Sequence, residues 1–212
     1  MLLSTFMTNT PYEPKDLPFT APLTGISEKT IAIHHDKLYV GYVNKMKEIG
    51  EKLKEMRETG VGLDKANQSY SEMRALRMGE TFATNGVYLH EYYFNVLGGT
   101  GAAQGSLAEE IADKYESMEK FIAFFSATGM AVRGWVVLAW DTQIGRLKIY
   151  GCDSHDQGGV WGCVPLIVLD VFEHAYFIDY GSDRAAYIAD FWKNLNWNAA
   201  NTLFDKVKTV TL

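Results

Sequence analysis

Asp170 and His174 are a carboxylate and an imidazole four residues apart, directly after an apolar run at 164–169. If a helical turn begins there, residues four apart face the same side. Both side chains could then bind one metal ion. A hydrogen-bonded Asp–His pair without a metal has the same spacing, so this motif alone leaves two interpretations open.

His34 and His90 add two imidazoles on predicted helices. His34 belongs to an apolar stripe with three- and four-residue steps, which also contains Ile31, Leu38, Tyr42, Met46, Ile49, Leu53 and Met56. His90 stands among the aromatic residues of 88–94. Two long helices joined by a turn pack antiparallel. Each buried imidazole then needs a polar partner, which is either a core hydrogen bond or a metal ion.

Taken together, the three imidazoles and one carboxylate indicate the class of metal that one shared site would hold. This set suits iron or manganese better than magnesium or calcium, which prefer oxygen ligands. Zinc remains an alternative on ligand types alone. Separate hydrogen-bonded histidines in the core are compatible with the same residues.

The elements that would carry these residues follow from proline, glycine and capping signals. Residues 1–26 contain four prolines that predict an extended arm, namely Pro11, Pro14, Pro18 and Pro22. Ser27 is predicted to cap a long helix that ends at Gly60. A second helix is predicted over about 69–97, where the glycines of 98–101 end it.

Two short helices are predicted next. Ser106 and Glu109 form a capping-box pattern for the first, and Ser117 is predicted to cap the second. The apolar side of the second is predicted to carry Phe121, Ile122, Phe124 and Phe125. Helical patterns return from about Asp183, after a stretch whose pattern predicts strands.

That stretch contains three runs rich in β-branched and aromatic residues, which predict strands at 134–140, 146–150 and 164–169. A turn at Gly145 separates the first two, so they are predicted to form a hairpin. Pro165 stands near the start of the third run, where a strand tolerates proline.

The order of helices, strands and helices predicts an α+β fold. We expect an N-terminal α-hairpin domain (1–98), then a C-terminal domain (99–212) with a small three-stranded antiparallel sheet and helices. The chain has 212 residues, of which 47% are hydrophobic, so it can bury a substantial core.

Composition also limits the classes of binding partner and the cellular compartment that are expected. Twenty Lys and Arg against 26 Asp and Glu give a net charge of −6, which argues against nucleic-acid binding. No apolar run reaches membrane-spanning length, so no membrane partner is expected. Residues 1–7 lack the basic start of a signal peptide, which predicts a cytoplasmic protein. Cys152 and Cys163 are predicted to be reduced core thiols, with a single disulfide left open.

At this point several motifs resemble one family, the iron/manganese superoxide dismutases. They are the HHDK of 34–37 followed by the YVN of 42–44, the GVYLH of 86–90, the GW of 134–135, the DVFEHAY of 170–176 and the NW of 196–197. The likeness covers nearly the whole chain in the same order. The family fold, a helical hairpin domain followed by an α+β domain, agrees with the fold predicted above.

The resemblance implies that His34, His90, Asp170 and His174 bind one Fe or Mn ion per subunit. It implies disproportionation of superoxide anion to oxygen and hydrogen peroxide. Gly86 and His155 occupy the two places where the family has a glutamine beside the metal-bound solvent. His155 is therefore expected to be the partner of that solvent, and the choice between iron and manganese stays open.

Three further residues are given roles by the same resemblance. Tyr42 matches the tyrosine that guards the substrate channel, and Trp135 matches a tryptophan of the cavity wall. Glu173 matches the glutamate that reaches a ligand histidine of the other subunit. It therefore implies a homodimer, with a tetramer left open. Lys37 and Arg184 match positions near the channel entrance and are candidates for steering the anion.

Several positions depart from the family pattern. Leu38 and Phe177 replace both partners of a polar contact across the dimer, and Phe94 and Phe172 stand where tryptophans are usual. These changes predict a less closely walled cavity and an altered channel mouth. They also keep open an alternative function, a non-catalytic metal-binding protein with the superoxide dismutase fold. A non-haem iron oxygenase is disfavoured, because that class uses two histidines and one carboxylate.

Overall fold

A computed structural model describes residues 12–210. Within that range the helices are α1 (Glu28–Ile33), α2 (Val40–Thr59), α3 (Glu72–Asn95), α4 (Ser106–Tyr115), α5 (Met118–Ala131), α6 (Phe177–Tyr180), α7 (Arg184–Lys193) and α8 (Trp197–Val207). The strands are β1 (Trp135–Asp141), β2 (Arg146–Cys152) and β3 (Cys163–Asp170). The fold is α+β, as predicted, with a helical hairpin followed by a domain built on a three-stranded sheet. The division at 98/99 stays a prediction.

The N-terminal arm has neither helix nor strand between residue 12 and Ser27. This agrees with the prediction for the part that contains Pro14, Pro18 and Pro22, whereas Pro11 lies outside the described residues. The Ser27 hydroxyl accepts a hydrogen bond from the Thr30 N–H at 3.2 Å, so Ser27 caps the first helix as predicted.

The first predicted helix is continuous along the chain but changes type at His34–Tyr39, which forms a π-helical turn between α1 and α2. A π turn inserts one extra residue into the helical repeat. Consequently Tyr39 is buried, whereas Leu38, the predicted member of the stripe, is only half-buried. The helix ends at Gly60 in the left-handed conformation (φ 72°), as predicted.

The sheet has the order β2–β1–β3, and both neighbouring pairs are antiparallel. The predicted β1–β2 hairpin is therefore confirmed. Pro165 lies on edge strand β3, where the register with β1 shifts between Leu138 and Ala139. Because proline has no N–H to donate to the ladder, an irregular position on an edge strand suits it.

The two cysteines lie on the two edge strands, beside opposite ends of the central strand β1. In the sheet register, Cys152 stands opposite Trp135, and Cys163 stands opposite Asp141. Six residues of strand separate these partners, a distance of about 20 Å at 3.3 Å per residue. Both thiols are free, so the disulfide that the sequence left open does not form.

Two local predictions in the second half are wrong. Gly105, not Ser106, is the cap residue of α4, because the Ser106 hydroxyl donates instead to Asp205 at 2.7 Å. On α5, Phe124 is exposed while Phe121 and Phe125 are buried. A helix turns about 100° per residue, so these consecutive apolar residues cannot all face the core.

The two halves of the molecule meet at the glycines that follow α3. The Gly99 N–H donates to the Asn194 carbonyl at 2.9 Å, and the Asn196 N–H donates to the Val96 carbonyl at 2.8 Å. The segment between the halves is thereby fixed against the turn between α7 and α8. Among the described residues, no helix is both long and apolar enough to cross a bilayer.

Candidate metal centre

Four elements place four potential metal ligands around one point. The π turn supplies His34, α3 supplies His90, the last residue of β3 is Asp170, and a 3₁₀ turn contains His174. One ligand atom from each residue lies within 4.8 Å of all the others. The side chains of His34, His90 and Asp170 are fully buried, and that of His174 is 28% exposed.

Asp170 is at the centre of this cluster. Its Oδ2 lies 3.1 Å from Nε2 of His34, 3.1 Å from Nε2 of His174 and 3.8 Å from Nε2 of His90. Its Oδ1 accepts the Phe172 N–H at 2.8 Å. One carboxylate oxygen is therefore held by the backbone, and the other faces three imidazoles.

The hydrogen bonds around His90 indicate that a cation belongs in the cluster. Nδ1 of His90 donates to the Gly86 carbonyl at 2.6 Å, which leaves a lone pair on Nε2. This Nε2 is buried and has no hydrogen-bond partner within residues 12–210. It faces Oδ2 of Asp170, which also only accepts, and a positive ion between two such acceptors would satisfy both. These donors therefore fit one transition-metal ion.

The local electrostatics hold His90 and Asp170 in the protonation states that metal binding needs. Burial lowers the pKa of His90 well below its ordinary value, and the neighbouring His34 lowers it further. Burial alone would raise the pKa of Asp170, but the adjacent His174 and His34 outweigh it and keep this pKa below its usual range. A neutral imidazole and an ionised carboxylate can both bind a metal ion without losing a proton first.

A row of three hydrogen-bonded side chains lies beside His90. Trp135 Nε1–H donates to Nδ1 of His155 at 2.9 Å, and Nε2 of His155 lies 2.7 Å from the Tyr42 hydroxyl. Because Nδ1 accepts, the proton of the neutral ring is on Nε2 and is donated to Tyr42. Burial lowers the pKa of His155, which favours this neutral form. The ring of Phe82 covers the row, 4.6 Å from the His155 ring.

Gly86 is required for the close approach of Tyr42. A Cβ at this position would lie 2.9 Å from two carbons of the Tyr42 ring. We therefore expect Gly86→Ala to lower the free energy of unfolding by about 1–3 kcal/mol, the usual cost of overpacking a core. Urea denaturation measures this loss. Gly50→Ala is the matched control, since a Cβ there meets no atom within 4 Å and the helix should be unchanged or stabilised.

Comparison with known proteins assigns the chain to a family. Residues 8–98 match the iron/manganese superoxide dismutase alpha-hairpin domain, and residues 103–203 match the C-terminal domain of the same enzymes. The chain belongs to the iron/manganese superoxide dismutase family. It is 42% identical over 196 residues to "Superoxide dismutase [Fe]" of Aquifex pyrophilus. The aligned region covers 92% of this chain and 91% of the relative. It is 34% identical over 200 residues to "Superoxide dismutase [Mn] 1" of Halobacterium salinarum, covering 92% and 96%.

Two aromatic positions at which the resemblance implies tryptophan lie against the imidazoles. The Phe94 ring is 5.2 Å from the His34 ring and is buried. Phe172 stacks on His174 at 5.4 Å and meets Trp135 edge-on at 6.1 Å. Phenylalanine thus occupies both places against the cluster. That the cavity is less closely walled as a result stays a prediction.

The two steering candidates differ in their surroundings. Arg184 donates to the Val132 carbonyl at 2.8 Å and to the Tyr176 hydroxyl at 3.2 Å, so its guanidinium already holds the end of α5. Lys37 is exposed and stands in the π turn, next to the cluster in sequence. Of the two, Lys37 retains the freedom to attract an anion, and its steering role stays a prediction.

Sequence reasoning missed three features of this superoxide dismutase site. These are the π turn, the cover provided by Phe82, and two buried tyrosines, Tyr93 and Tyr187, which lie behind Asp170. Phe82 lies on a partly exposed side of α3, so the apolar pattern of that helix does not predict its contact with His155. Tyr187 forms part of an ordinary apolar pattern on α7, which predicts burial but not contact with the site.

Proposed function

We propose that this chain is a superoxide dismutase that converts superoxide anion to oxygen and hydrogen peroxide. His34, His90, Asp170 and His174 would hold one Fe or Mn ion. The buried Nε2 of His90 faces Oδ2 of Asp170 and has no hydrogen-bond partner in the described part of the chain, and this observation carries the proposal. The bound ion would supply the redox chemistry, taking an electron from one superoxide and returning it to the next.

The residues around the ion favour an anionic substrate and supply protons. One carboxylate and three neutral imidazoles leave a bound divalent or trivalent cation with net positive charge, which attracts superoxide despite the chain's overall charge of −6. Tyr42 accepts the hydrogen bond of His155 and so keeps its own O–H free. We assign proton delivery to this hydroxyl. His155 holds it in place through its single N–H, which would also serve the solvent of a bound metal ion.

Trp135 completes this arrangement from the opposite side. Its ring is fully buried and lies edge-on to His90 at 5.0 Å. Its N–H fixes the tautomer of His155 through Nδ1. We propose that Trp135 excludes water from one side of the ion and orients His155.

We also propose a homodimer with Glu173 at its interface, in the cytoplasm and with an antioxidant role. Glu173 is exposed beside His174, and the large apolar side chains of Phe177 and Ile178 are exposed nearby. Adjacent exposed apolar residues favour burial against a partner. Sedimentation equilibrium should give twice the chain mass of 23.8 kDa, or four times in a tetramer. A single-chain mass would contradict the dimer.

The alternative function, a non-catalytic metal-binding protein of the same fold, is not favoured. The relatives that match most of the chain carry the name superoxide dismutase, with either iron or manganese. The altered positions Leu38 and Phe177 are its remaining support, and neither belongs to the four-residue cluster.

Separate reconstitution with iron and with manganese tests the proposed function. The metal-free protein is loaded with each ion, its metal content is measured, and superoxide decay is followed. At least one form should remove superoxide far faster than the same concentration of free ion, and the metal-free protein should not. If both loaded forms were no faster than free ion, the chain would not be a superoxide dismutase.

A further inference from the structure

Two tyrosines lie next to the cluster, one at the main chain of Asp170 and one at the ring of His34. Tyr187 of α7 and Tyr93 of α3 are both fully buried. The Tyr187 hydroxyl donates to the main-chain carbonyl of Asp170 at 2.8 Å, and the two tyrosine oxygens are 3.1 Å apart. The pair therefore connects the helical hairpin, the C-terminal helices and the end of β3 at one point.

The direction of these hydrogen bonds is fixed by chemistry. A carbonyl oxygen only accepts, so the Tyr187 proton is directed at Asp170. Tyr93 must then be the donor in its contact with Tyr187. Burial raises the pKa of both phenols, so both remain protonated donors at neutral pH.

The Asp170 carbonyl needs such a donor because β3 is an edge strand and this carbonyl faces away from β1. The next residue, Val171, faces the other way, and its N–H donates to the Gly134 carbonyl at 2.8 Å. Tyr187 thereby holds the main chain of Asp170, while the Phe172 N–H holds Oδ1 of its side chain. With both anchors in place, Oδ2 alone is free to face the imidazoles.

Tyr93 has a second contact with the cluster. Its ring lies 5.2 Å from the His34 ring. Movement of Tyr93 would therefore disturb His34 directly and Asp170 through Tyr187.

We infer that Tyr187, supported by Tyr93, is a positioning residue that sets Asp170 for metal binding. This inference rests on the proposed metal site and adds a residue that hydrogen-bonds the main chain of a ligand. Groups that orient metal ligands commonly change affinity by about 10–100-fold when they are removed. Tyr187→Phe removes one oxygen and leaves the ring, so the aromatic packing is kept.

The test compares the affinity of Tyr187→Phe and Tyr180→Phe for Mn(II), by competition with a chelator. Tyr180 is the matched control, because its ring meets Tyr187 at 5.8 Å but its hydroxyl donates to Asp190, away from the site. We expect about a 10- to 100-fold loss for Tyr187→Phe and a wild-type value for Tyr180→Phe. Circular dichroism of the metal-free proteins should show the same fold in all variants.

A second variant separates positioning from general destabilisation. Tyr93→Phe should lose affinity less than Tyr187→Phe, and the double variant should match Tyr187→Phe, since Tyr93 acts through Tyr187. Equal affinities for Tyr187→Phe and Tyr180→Phe would overturn the inference alone. A wild-type chain that bound neither Mn(II) nor Fe(II) would overturn the metal site, and with it this inference.

Discussion

Asp170→Asn should abolish dismutation and most metal binding while leaving the fold in place. The substitution keeps the size of the side chain but removes the negative charge beside three imidazoles. Removing one member of a buried charged set costs about 3–5 kcal/mol, or roughly 10²–10⁴-fold in binding. Metal content after dialysis and the rate of superoxide decay measure the two effects.

Asp141→Asn is the matched control for this prediction. Asp141 is also buried, but it lies at the other end of the β1–β3 ladder from Asp170. In the sheet register it stands opposite Cys163. Its loss should leave metal content and activity near those of the wild type. Full metal occupancy in Asp170→Asn would show that the ligand set is wrong, and equal losses in both variants would indicate a general effect of removing a buried aspartate.

The sequence could predict Asp170 and His174 as neighbours because both stand within five residues of one strand end. His34 and His90 were predicted to be buried because each lies in an apolar or aromatic helical pattern. That they meet at Oδ2 of Asp170 depends on packing between three elements distant in sequence. The family motifs alone link all four residues.

Other features could not be predicted, for identifiable physical reasons. The π turn at His34–Tyr39 is a one-residue change of helical repeat, and the residue types of that segment also suit an α-helix. Ser106 has the right pattern for a cap, but a distant partner, Asp205, takes its hydroxyl. At Ser106 a tertiary contact therefore overrides a local signal.

His155→Ala should leave the metal bound but reduce dismutation by about 10²-fold, a typical contribution of a positioned proton donor. The expectation follows from the row in which Trp135 donates to His155 and His155 donates to Tyr42. Without the imidazole, the Tyr42 hydroxyl loses its partner and can turn away from the ion. The midpoint potential of a bound metal should also shift, because the hydrogen bond that His155 would give to its solvent would be lost.

Tyr42→Phe tests the same row from its other end. Like His155→Ala, it should lower the rate of dismutation and leave the metal bound. His35→Ala is the control, because His35 bonds the Lys15 carbonyl at 2.8 Å and Asp36 at 2.7 Å, outside the row. If proton delivery depends on Tyr42 held by His155, the His155→Ala and Tyr42→Phe losses should not add in the double variant. An unchanged potential together with an unchanged rate in His155→Ala would remove His155 from the mechanism, and additive losses would mean that the two residues act independently.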